Sequence, residues 1–72
     1  NKKDAAISDL NQALALNPTD VPSYIARADI FFSLQKLAEA GADYRRILTL
    51  RPDAEFAKKR LLKIETAPAS KP

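Results

Sequence analysis

Apolar positions recur along this chain with the spacing of a helical face. Ala6, Leu10, Ala13 and Leu14 fall at i, i+4, i+7 and i+8, and Ala40, Tyr44, Ile47 and Leu48 repeat that spacing. Such a stripe predicts an amphipathic α-helix. Tyr24, Ala28, Phe31 and Leu34 form a third stripe, with Ile25 and Phe32 as a second apolar edge, and Ala54, Ala57, Leu61 and Ile64 form a fourth. The pattern predicts four helices, at 4–17, 21–34, 38–50 and 54–65.

The punctuation between the stripes agrees. Pro18 and Pro52 disfavour helical dihedrals in the residue before them and so end the first and third helices. Asp20 is placed to cap the second helix, with Pro22 in its first turn, where a missing N–H costs nothing. Asp53 is placed to cap the fourth. After Glu65 the chain reads Thr-Ala-Pro-Ala-Ser-Lys-Pro, which predicts a disordered tail over 66–72.

The chain also repeats itself. Pro18 and Pro52 stand 34 residues apart, and the same offset pairs Lys2 with Lys36, Ala6 with Ala40, Asp9 with Asp43, Leu14 with Leu48 and Leu16 with Leu50. Leu10 then faces Tyr44 and Ala13 faces Ile47, apolar against apolar. A fixed period of this length marks a stacked array of identical helical units.

These residues resemble the tetratricopeptide repeat, whose pattern over about 34 residues runs W-x2-L-G-x2-Y, then A-x3-F, then P. Tyr24 stands at the Trp position, Ala28 at the small position and Phe31 at the Tyr position. Ala40 and Tyr44 match A-x3-F, and Pro52 closes the unit. The resemblance implies an all-α fold of antiparallel helix-turn-helix repeats, a fragment of an α-solenoid. Its parts would be the second helix of a preceding repeat (1–20), a full repeat (21–53) and a capping helix (54–65). Ala28 and Ala40 would let the paired helices approach closely. Arg27 departs from an expected Leu, and is expected to lay its stem on the core with its guanidinium in water. Gln35 stands where a turn Gly is usual, and Lys58 and Glu65 where large aromatics are usual. Polar residues suit a final helix with nothing packed beyond it. The first helix would lack the partner that covers Ala6, Leu10 and Ala13, so either further repeats precede it or a second copy covers it.

Composition narrows the chemistry. The 72 residues contain no Cys, His or Met, so thiolate, imidazole and disulfide chemistry are absent. No apolar run approaches the roughly 18 residues of a membrane span. Gly41 is the only Gly, so there is no phosphate-cradling loop, and no carboxylate cluster has metal-ligand spacing. Ser8, Ser23, Ser33 and Ser70 have no His to act as base. Asp4 with Asp9, or Glu39 with Asp43, reads as a solvated face rather than an acid–base pair. No catalytic site, cofactor or metal is expected.

Charge is uneven. Residues 1–34 carry three Lys/Arg against four Asp/Glu, and residues 35–72 carry nine against five. The surplus includes Lys58, Lys59, Arg60 and Lys63, which suit the end of a helix and also an acidic partner. The resemblance implies a protein–protein interaction scaffold that receives a peptide or helix in a concave groove. Residues 25, 29, 32 and 33 share a helical face, and a shift of 34 carries 25 and 29 onto 59 and 63. The expected groove is therefore Ile25, Asp29, Phe32, Ser33, Lys59, Arg60 and Lys63, apolar at its centre and basic at its edge. Some family members clamp a peptide's terminal carboxylate with Lys and Asn; Ile25 and Asp29 stand at those places here and argue against it. Two other readings are a nucleic-acid or acidic-surface binder using the basic cluster, and the regulatory part of a larger enzyme.

Overall fold

A computed structural model describes residues 1–66. It contains four helices: α1 (Lys2–Leu16), α2 (Val21–Ser33), α3 (Leu37–Leu50) and α4 (Glu55–Glu65). No strand occurs among the described residues. The fold is all-α, and each expected helix forms with its ends shifted by at most two residues. The disordered tail expected from 66 onward falls, beyond Thr66, outside the described residues.

The helices pack in chain order, α1 on α2, α2 on α3 and α3 on α4. The result is a slab of 36 × 32 × 15 Å. The backbones of α1 and α3 stay apart, as do those of α2 and α4. Two rows of helices thus lie back to back, each row with a gap along its middle. That is how a unit that contacts only its neighbours builds a solenoid.

The 34-residue period is visible in the backbone angles. Asn17 and Arg51, each preceding a Pro, sit at φ −142°, ψ 86° and φ −137°, ψ 84°. Asp20 and Ala54, each opening a helix, sit at φ −79°, ψ 93° and φ −76°, ψ 91°. The second pair corrects the expected cap. α4 is opened by Ala54 and not by Asp53, because the turn geometry set by Pro52 places the cap two residues later, as Pro18 does for Asp20. Asp20 occupies its expected position, but its carboxylate accepts from the Ser23 hydroxyl instead of a backbone N–H. α1 starts two residues early because Asn1 caps it, its Oδ1 accepting from the Asp4 N–H at 2.9 Å.

The α2–α3 turn puts Gln35 in the left-handed region at φ 64°. Lys36 N–H donates to Phe31 C=O and Gln35 N–H to Phe32 C=O, the paired bonds of a Schellman motif. Gln at this place bears the steric cost that Gly escapes.

The buried core comprises Leu14, Tyr24, Ala28, Ala40, Tyr44, Ile47, Ala57 and Leu61. Ala28 and Ala40 are fully enclosed on facing helices, as their small size requires. The counterparts of Ala40, Tyr44 and Ile47 in α1 are only partly covered, since among the described residues nothing packs on that face beyond α2. At the other end, Lys58 and Glu65 lie exposed in ion pairs with Glu55 and Arg45.

The Arg27 side chain is 21% exposed, but its guanidinium, expected simply to end in water, is bonded to protein. Its Nε and Nη2 donate to the two oxygens of Asp43 at 2.9 and 2.7 Å, and its Nη1 donates to Asn11 Oδ1 at 2.7 Å. The reason is Asp43, which is 5% exposed and would be an unpaired buried charge without it. One guanidinium therefore ties α1, α2 and α3 together.

The packing generates a contrasting prediction for adjacent residues. A Cβ added at Gly41 would meet nothing nearer than the Arg45 side chain at 3.7 Å, an ordinary contact. Gly41→Ala is therefore expected to stabilise the fold by about 0.5–1 kcal/mol through helix propensity alone. Ala40→Leu is expected to destabilise it by about 1–3 kcal/mol through overpacking. Urea denaturation of the two variants checks both signs.

A candidate peptide-binding groove between α2 and α4

Both helices that flank the gap present side chains set by the helical repeat. On α2, Ile25, Asp29 and Phe32 follow one face, and on α4, Phe56, Arg60 and Lys63 do the same. The α2 and α4 backbones do not meet, and Arg60 spans the gap between them.

Arg60 is held by three groups. Its Nη1 donates to Tyr44 Oη at 3.1 Å and approaches Asp29 Oδ1 at 3.5 Å. Its guanidinium carbon lies 4.8 Å from the centre of the Phe32 ring, a cation–π contact. Tyr44 in turn donates its hydroxyl to Asp29 at 2.6 Å. These four side chains meet across the gap between α2 and α4. Asp29 and Arg60 were expected as separate lining groups, and the structure makes them partners.

The other expected residues divide into three. Ile25 is half-buried against the core and forms part of a cleft at the N-terminal end of α2. Ser33 is exposed and donates its hydroxyl to its own helix, to Ile30 C=O at 2.8 Å. Lys59 and Lys63 are exposed and have no ion-pair partner within 4.0 Å among the described residues.

Two contributors escaped the sequence reading. Tyr44 is a core residue by its position in the repeat, and its hydroxyl has a polar role that periodicity does not report. Phe56 is 43% exposed on the α4 face. Its spacing from Arg60 and Lys63, i to i+4 and i+7, was the signal that would have found it. Among the described residues no cluster of acidic side chains could hold a metal ion. No helix of the described chain is long and apolar enough to cross a membrane.

Burial pushes the Tyr44 hydroxyl up to about 12 from its ordinary value of 10.0, with the Asp29 hydrogen bond and charge adding to burial and Arg60 opposing them. A raised pKa means that the native state keeps its proton where the unfolded chain has lost it. The stabilisation is complete below pH 10 and is lost as pH rises towards 12. The fall in stability over that window is expected to be shallower in Tyr44→Phe, as measured by urea midpoints across the alkaline range.

The sequence profile of the tetratricopeptide repeat matches residues 21–54. The chain is similar to RNA polymerase II-associated protein 3 of Homo sapiens, 47% identical over 66 residues, which is 92% of this chain and 10% of that protein. It is similar to the Mus musculus protein of the same name at 44% over 66 residues, again 92% and 10%. It is also similar to sperm-associated antigen 1 of Mus musculus, 38% identical over 61 residues, 85% of this chain and 7% of that protein. The chain thus spans at most 10% of the length of these curated relatives. The profile match and the paired helices together show that residues 21–54 of the chain are a tetratricopeptide repeat, a unit that serves as a protein–protein interaction module.

Proposed function

We propose that the α2–α4 gap receives a peptide or helix of a partner protein that carries an aromatic or aliphatic anchor followed by acidic residues. The observation that supports this reading most is the state of Arg60. Its Nη1 is the one donor engaged by protein acceptors among the described residues, so Nε–H and Nη2–H remain for a partner. The side chain is 42% exposed, yet Asp29, Tyr44 and the Phe32 ring fix its plane. A guanidinium fixed before binding loses little freedom when it meets a carboxylate, and its planar fork suits two parallel hydrogen bonds.

Lys59 and Lys63 add charge beside that donor. Exposed lysines steer an acidic chain towards the groove and contribute more to the rate of encounter than to its lifetime. Phe32 supplies apolar contact area under the arginine. On this reading the chain performs no reaction. It holds a partner in place.

The reading is tested by titrating an anchor-plus-acid peptide, selected from a displayed random library, against variants. Phe32→Ala is expected to weaken binding by more than about 1 kcal/mol. Lys59→Glu with Lys63→Glu is expected to slow association and flatten its salt dependence, with a smaller change in dissociation. If Phe32→Ala lowers only the unfolding free energy and leaves the peptide affinity intact, Phe32 is core and the groove is not the binding face.

A further inference from the structure

A second feature lies at the end of the gap where α2 and α4 begin. A cleft of about 320 Å³ opens there between the start of α2, the end of α3 and the start of α4. Val21, Ile25 and Phe56 form its walls along with Ile47, which is fully buried. Phe56 is the exposed member, at 43%. An aromatic ring left in water at the mouth of an apolar hollow is a typical energetic anchor of a protein interface.

The rim carries two charges of opposite sign, Arg51 and Asp53. Both side chains are exposed. The ion pairs among the described residues are Arg27–Asp43, Arg45–Glu65, Lys58–Glu55 and Arg60–Asp29, so neither rim charge has a partner within 4.0 Å. They are not spent on the fold. The turn geometry shared by Asn17 and Arg51 fixes where they stand, because Pro52 sits between them.

We infer that this cleft is a specificity pocket of the groove. It would take one bulky aliphatic or aromatic side chain of the bound peptide, with an acidic neighbour at Arg51 and a basic neighbour at Asp53. The inference rests on the α2–α4 gap being the binding face and adds which residue of the partner is selected. Charge complementarity decides the occupant. A uniformly acidic segment would meet Asp53, a uniformly basic one would meet Arg51, and only a mixed pair flanking the apolar residue satisfies both. The groove then reads two features of one peptide. The cleft reads the apolar residue between opposite charges, and Arg60 reads an acidic residue further along.

The experiment uses peptides selected on the chain from a displayed random library, then synthesised and titrated. The selected peptides are expected to share a large apolar residue flanked by one acid and one base. Phe56→Ala is expected to weaken them by about tenfold or more. Its thermal unfolding should change less than its peptide affinity, because the ring is 43% exposed. Arg51→Glu should lose affinity for the parent peptide and regain it for the peptide whose acid is replaced by Lys; Asp53→Lys should behave likewise with the base replaced by Glu. Recovery by the charge-swapped peptide is a readout that a folding defect would not produce. If Phe32→Ala weakens binding while Phe56→Ala and both reversals leave it unchanged, the groove stands and the pocket assignment fails. If no peptide is selected, or selected peptides ignore Phe32 and Phe56 alike, both readings fail.

Discussion

The bond between Arg27 and Asp43 is the constraint around which this small slab is organised. A chain of this size buries too little surface to tolerate an unpaired charge in its core. Asp43 is nonetheless 5% exposed in the middle of α3. Arg27 answers it with both oxygens satisfied, and the same guanidinium reaches Asn11 on α1. It also passes within 5.7 Å of the Tyr24 ring centre and 5.9 Å of the Phe31 ring centre. The hydrogen bond to Asp43 raises the pKa of Arg27 above its already high ordinary value, against the lowering by burial. The same guanidinium thus bonds α3 through Asp43 and α1 through Asn11.

Arginines bridge both gaps of the slab. On one side Arg27 connects α1 and α3 across α2, and on the other Arg60 connects α4 to Asp29 and Phe32 of α2. The difference between them is exposure. The Arg27 side chain is 21% exposed and all three of its nitrogens donate, whereas the Arg60 side chain is 42% exposed with only Nη1 donating. The first is structural, and the second has donors to offer.

The helices were legible in the sequence because their cause is local. Stripes at helical spacing and the prolines at 18 and 52 are read without knowing what packs where. The 34-residue period added the order of packing, since Ala28 and Ala40 are the small residues that adjacent helices need. The cap of α4 was misread because Asp53 is the better capping residue by type, while the turn after Pro52 selects position 54 by geometry. Arg27 was misread for a different reason. Its partner lies 16 residues away, and no periodicity links the two. The candidate site was half legible. Helical spacing placed Asp29, Phe32 and Arg60 on facing surfaces, but that they hold one another, and that Tyr44 joins them, depends on side-chain reach across the gap. Phe56 was passed over because its counterpart in the repeat is Pro22, which carries no aromatic signal.

The claim that one half-buried ion pair organises three helices is tested most directly by a double-mutant cycle on Arg27 and Asp43, read as unfolding free energy in urea. Arg27→Leu and Asp43→Leu should each cost about 2–4 kcal/mol, because each leaves a charge without its partner. The double variant should cost less than the sum of the two, with a coupling of about 1–3 kcal/mol. Two losses that simply add in the double variant would contradict the account and leave the packing of the alanines and aromatics as the sole organising interaction.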